Sequence, residues 1–108
     1  MNPLQKQDFR QAVHDIVRLI PVGRATSYGA IAQAIGFSNF SRMVGKVMSE
    51  CPADSGIPAH RVVNSQGFLS AKNIFNAQQQ RLETEGVTVK NNKIQHWKTV
   101  FWHPMKEL

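Results

Sequence analysis

The chain has 108 residues, 42% hydrophobic and 19% charged, with 13 Lys and Arg against 7 Asp and Glu for a net charge of +6. That size and balance predict a single folded domain over residues 1–108, and no run of about 18 apolar residues exists to make a transmembrane helix. One cysteine, Cys51, excludes an internal disulfide, and His14, His60, His96 and His103 stand at no metal-ligand spacing, so neither a metal nor a cofactor is expected.

Phe9, Ala12, Val13, Ile16, Val17 and Ile20 recur at helical spacing and predict a first helix, ended by Pro21 and Gly23. Thr26 or Ser27 then offers an N-cap hydroxyl to a short helix carrying Ile31, Ala32 and Ile35, closed by Gly36. A third helix is expected from about Asn39 to Ser49. On it Phe40, Val44, Val47 and Met48 fall on one face, and Arg42, Gly45, Lys46 and Ser49 on the other. Helix, turn, helix in a basic chain is the outline of a nucleic-acid binder, because each neutralised phosphate releases counterions. The outer face suits that use: two cations among small residues that let a backbone come close.

Cys51 to Ile57 reads as a loop, Val62 and Val63 as a short strand, and Asn64 to Gly67 as a turn. A helix is expected over Asn76 to Glu85, stopped by Gly86. Val87, Val89 and Ile94 flank Asn91-Asn92 in the pattern of a hairpin with a two-residue turn, which would serve as a wing. Trp97, Phe101 and Trp102 are read as core cover rather than as stacking platforms for bases. The fold class expected is therefore mainly α with a small β-hairpin, a winged helix-turn-helix. The polar segment Met1–Arg10 lacks the apolar centre of a signal peptide, which implies a cytoplasmic, nucleoid-associated address.

Pro58-Ala59-His60-Arg61-Val62, together with the segment Ile20 to Gly29, resembles the O6-alkylguanine-DNA alkyltransferase family. Ser41-Arg42-Met43-Val44-Gly45 looks like that family's recognition-helix segment, Ser65-Gln66-Gly67 like its turn, and Glu85-Gly86 like its last-helix terminus. The resemblance runs through nearly the whole chain in order, without the family's separate N-terminal domain, and implies an alkyltransferase C-terminal-domain-like fold. In that family the residue between Pro58 and His60 is the alkyl-accepting cysteine. Here it is Ala59, whose methyl has no lone pair and cannot attack. His60 and Glu85 would be what is left of the network that activates the cysteine. The chain is thus similar to the alkyltransferase-like proteins, although these commonly carry tryptophan at the replaced position, and alanine implies a roomier pocket.

The resemblance also implies roles. Arg42 would enter the duplex and fill the space of a flipped nucleotide, and Tyr28 would help rotate that nucleotide outward. Thr26, Ser27, Gly45 and Lys46 would meet DNA. Tyr28, Pro58, Ala59, Ser70 and Lys72 would form the lesion pocket, with Arg61 in a structural role. The function implied is a non-enzymatic, monomeric sensor of O6-alkylguanine in double-stranded DNA, presenting lesions to nucleotide excision repair proteins, with no membrane partner. The alternatives are an atypical alkyltransferase using Cys51, which stands where active members place a bracing asparagine, and a winged-helix transcription regulator.

Overall fold

The computed structural model describes residues 3–51, 55–69 and 75–107. Helix α1 (Pro3–Arg18) turns Phe9, Val13 and Val17 inward, and Ile20 follows them just beyond its end. Strand β1 (Thr26–Ser27) leads directly into α2 (Tyr28–Ile35). The Ser27 hydroxyl accepts the Ala30 amide at 3.0 Å and so caps α2, a bond worth about 1 kcal/mol. Gly36 ends α2 at φ +96°, a left-handed conformation that lets the Phe37 amide reach back to the Ala32 carbonyl at 2.9 Å. A 3-10 turn (Ser38–Phe40) then swings the chain into α3 (Ser41–Ser49). Helices α2 and α3 pack closely, giving the expected helix-turn-helix.

A second 3-10 turn (Ala59–Arg61) precedes β2 (Val62–Val63). Helix α4 (Phe75–Thr84) follows, and then the hairpin β3 (Val89–Lys90) and β4 (Lys93–Ile94). Asn91 and Asn92 both hold positive φ, as a two-residue hairpin turn of the primed type requires. The chain closes with two single-turn helices, α5 (Trp97–Val100) and α6 (Pro104–Glu107). Among the described residues no helix is long and apolar enough to cross a membrane.

Two buried clusters result, and β2 divides them because its residues alternate in direction. Val62 joins Phe9, Val13, Val17, Ile31, Val44 and Met48 beneath the helix-turn-helix, and Trp102 enters the same cluster. Val63 joins Leu69, Leu82, Val87 and Ile94 beneath the hairpin, with Trp97 packed against them. Trp97 also lies over Gly67, which turns at φ +87° and where an added Cβ would sit 3.0 Å from the indole. Trp97 and Trp102 are thus core cover, as expected. The hairpin packs on α4 and on the Gly67–Leu69 segment, whose backbone bonds to Asn92 and Ile94.

The pairing of β1 with β2 did not stand out in the sequence. It is parallel, with Thr26 opposite Val62 and Ser27 opposite Val63. It brings the first residue of α2, Tyr28, beside the Ala59 turn. The second unexpected feature is a strap at Arg24. Its guanidinium donates to the carbonyls of Val100 (3.0 Å) and Phe101 (2.6 Å) and to the Glu107 carboxylate (3.1 Å). The strap holds the C-terminal segment in place while Trp102 fills the first core.

Candidate nucleic-acid interface

The β1–β2 pair, α2, α3 and α4 surround a cleft of about 540 Å³. Ala59, Val62, Met48 and Gln78 lie in its wall, with Tyr28 and Gly29 from α2 and Ser41, Arg42, Gly45 and Ser49 from α3. Asn64 and Ser65 complete the described lining. The volume is within the usual range for a small-molecule site. Gly45 matters here because a Cβ at that position would stand 3.9 Å from the Tyr28 ring; a longer side chain would project into the cleft.

The Ala59 turn is aimed by local geometry. Pro58 at φ −78° and ψ 63° forms an inverse γ-turn in which the Ala59 amide donates to the Ile57 carbonyl at 2.8 Å. Behind the turn, Arg61 donates from Nε to both Glu85 oxygens (3.0 and 3.2 Å), and from its terminal nitrogens to Glu85 Oε2 and to the Ile20 carbonyl (2.8 Å). His60 Nε2 stands 3.0 Å from Glu85 Oε2. All three side chains are at most 14% exposed.

Burial is the main cause that holds His60 below the ordinary histidine value, and the nearby Arg61 adds to it against the pull of Glu85. Burial by itself would raise Glu85. The hydrogen bonds from Arg61 and His60, with the positive charge of Arg61, outweigh it and lower the carboxyl below its ordinary value. Glu85 is therefore an ionised acceptor, and a neutral His60 donates to it through Nε2–H. Nδ1 of His60 is then an acceptor, buried and without a partner among the described residues. Such a lone pair could serve as a base, but the neighbouring Ala59 has no side-chain proton to give.

The rim is different. Arg42 and Lys46 are exposed on α3, and no described residue bonds or ion-pairs with either side chain. Arg10, Arg18, Arg24 and Arg61 are each matched by a carboxylate. The positive charge left over thus includes the open side of the cleft.

Several expected site residues are elsewhere. Thr26 is fully buried and Ser27 is 5% exposed. The Ser27 hydroxyl is used in capping α2, so neither residue presents its hydroxyl to a phosphate. That expectation is corrected by their place in a buried strand. Pro58 shapes the turn and is not among the described lining residues. Ser70 and Lys72 lie outside the described residues. Cys51 is outside the lining too, packed against the first core with its sulfur 3.7 Å from the Ser55 hydroxyl. Arg61 has the structural role expected of it, with both a salt bridge and a backbone contact. Sequence reasoning missed Gln78, in a run of three glutamines that looks like a solvated helix face. Its spacing of one turn from Leu82, fully buried, was the available signal.

A helix-turn-helix whose outer helix carries unpaired cations beside a deep cleft defines a DNA-binding protein of the kind that admits a base. Residues 8–87 match the model of the 6-O-methylguanine DNA methyltransferase DNA-binding domain, and the chain belongs to that family. It is 34% identical to Alkyltransferase-like protein 1 of Schizosaccharomyces pombe, over 88% of this chain and 91% of that one. It is 41% identical to the DNA base-flipping protein of Escherichia coli, over 80% of this chain and 68% of that one. The structure of S. pombe Atl1 in complex with damaged DNA containing O6-carboxymethylguanine superposes with a TM-score of 0.82 at 32% identity, covering 89% of this chain and 95% of that one. The O6-methylguanine methyltransferase of Mycobacterium tuberculosis superposes at 0.66 with 35% identity, over 72% of this chain and 48% of that one.

Proposed function

We propose that this protein grips an O6-alkylated guanine flipped out of double-stranded DNA and leaves the alkyl group where it is. The observation that carries this reading is Ala59, an inert methyl in the wall of a base-sized cleft, backed by the intact His60–Glu85–Arg61 bracket. The relatives support it, one named as a DNA base-flipping protein and one crystallised on O6-carboxymethylguanine DNA. An alkyl group can be moved only by a nucleophile that reaches its carbon. Cys51, the one thiol of the chain, is not in the lining.

In this reading Arg42 enters the duplex and stacks in the place of the lost base, a task for a planar cation. Tyr28 guides the nucleotide into the cleft, Gly45 lets the backbone approach, and Lys46 attracts phosphate. The protein acts as a monomer at the nucleoid and presents the lesion to nucleotide excision repair, since a sensor without chemistry must hand its lesion on. A gel-shift comparison of an O6-methylguanine duplex with its guanine twin, followed by a mass measurement of the protein, tests this. A clear preference for the lesion and an unchanged protein mass are expected. Equal binding of the two duplexes, or a gain of one methyl, would refute it.

A further inference from the structure

Away from the cleft, α1, the end of α2 and the turn before α3 enclose a groove of about 530 Å³. It shares no lining residue with the cleft. Gln5, Asp8, Phe9 and Ala12 form its α1 side. They recur at i, i+3, i+4 and i+7, so they share one face of the helix over a length of about 10 Å. Phe37 and Phe40 form the opposite wall.

The three phenylalanines make that wall stiff. Phe37 stacks on Phe40 with ring centres 5.2 Å apart, and Phe9 meets the two rings edge-on at 6.4 and 5.9 Å. Phe9 is buried, but Phe37 is 49% exposed, a large apolar ring left in water at the lip of the groove. Asp8 adds a charge of the chain's minority sign. Asp15, Glu50, Glu85 and Glu107 are each ion-paired, whereas Asp8 is exposed and has no partner among the described residues. On a chain of net charge +6 a basic ligand is repelled from most of the surface, and here it meets a carboxylate beside an apolar lip. An acidic ligand would be drawn instead to Arg42 and Lys46.

We propose that this groove docks an amphipathic helix of a partner protein, its apolar stripe on Phe37 and Phe40 and a Lys or Arg of its flank on Asp8. The groove is long enough for about two turns of such a helix. Because cleft and groove have separate walls, the partner helix and DNA are held at the same time. The aromatic wall supplies the affinity, and Asp8 selects the sign of the partner's flank.

A display library of short helical peptides, varied in apolar stripe and in flanking charge, is selected on the wild-type chain. The selected peptides are expected to carry an apolar stripe at i, i+3, i+4 and i+7 with Lys or Arg beside it. Titrated as synthetic peptides, they should bind Phe37→Ser at least about tenfold more weakly, the loss of an interface anchor. Asp8→Lys should cost roughly fivefold and reverse the preference between a Lys-flanked peptide and its Glu-flanked twin. Asp8 is exposed on a helix, so this second variant decides the matter if Phe37→Ser does not fold. Affinity for the peptides should be the same with and without an O6-methylguanine duplex present. A selection that yields no binder, or binders that ignore both substitutions, would overturn the proposal. So would displacement of the peptides by the duplex. A wild-type dimer in sedimentation that dissociates on Phe37→Ser would assign the groove to a second copy of the chain, and would overturn it too.

Discussion

Behind the cleft, Arg61, His60 and Glu85 are buried and bonded to one another; along its rim, Arg42 and Lys46 stand in solvent with no described partner. Both regions belong to the same site, yet they are built for different ends. The bracket was desolvated on folding, and its charges are held by mutual contacts, so removing a member leaves a buried charge uncompensated. The rim gave up little on folding and keeps its cations free for an anionic partner. In the proposed reading the bracket carries stability and aims the Ala59 turn, while the rim carries recognition. Between the two, the Ala59 methyl lies in the wall of the cleft.

The comparison is broken most directly at Arg61. Arg61→Ala strands Glu85 in a buried setting and is expected to lower unfolding free energy by about 3 kcal/mol, read from urea denaturation. The folded fraction at low temperature should still prefer damaged DNA. A loss of under about 0.5 kcal/mol, ordinary for a surface substitution, would show that the bracket does not carry stability.

At the rim the signs reverse. Arg42→Ala should leave the urea midpoint nearly unchanged and weaken O6-methylguanine binding by at least about tenfold, as expected for loss of an interface anchor. Lys46→Ala should cost only a few-fold, equally for damaged and undamaged DNA, and should reduce the salt dependence by roughly one phosphate contact. Equal losses in the two variants would mean that phosphate attraction, not base extrusion, dominates binding.

Acid separates the regions more gently. His60 and Glu85 both have lowered folded-state pKa values, so each group binds its proton less readily in the native protein than in the unfolded chain. Each contribution is therefore complete above the unfolded pKa and is lost as pH falls through the folded one. The urea midpoint should begin to drop below pH 6.5, the ordinary histidine value, and again below 4.5, that of glutamate. His60→Gln should erase the first limb and keep the second. A first limb that survives this substitution would assign it to another group, such as His14, which is also lowered by burial and by Arg18 and Arg10.

The smallest effect expected is that of adduct size. With alanine at position 59 in a cleft of about 540 Å³, larger O6-alkyl groups should bind at least as well as methyl. Titration of duplexes carrying a graded series of adducts checks this, and a steep fall in affinity with size would show that the cleft closes tightly around the base.

Much of the fold could be read from local pattern. The apolar stripe of α1, the Ser27 and Gly36 caps of α2 and the Asn91-Asn92 turn are decided by residues within a few positions of one another, and the structure has each of them. Ala59, His60 and Glu85 were legible because motif residues keep their order along the chain. The two-residue strands β1 and β2 were harder, since Thr26-Ser27 is too short to show any period and its partner lies 36 positions away. For the same reason Thr26 and Ser27 looked like surface hydroxyls until their strand was found buried.

The sequence by itself determined the helix-turn-helix, the basic rim and the inert residue at the centre of the site, because composition, helical period and residue identity are properties of the chain alone. Only the tertiary structure decided which polar groups face the cleft. The parallel pairing of β1 with β2 set Tyr28 beside Ala59, and the packing of α4 on the Ala59–Arg61 turn tied the Gln78 amide nitrogen to the carbonyls of His60 and Val62. Burial and hydrogen-bond partnership are relations between distant segments, and they come into being only when those segments meet.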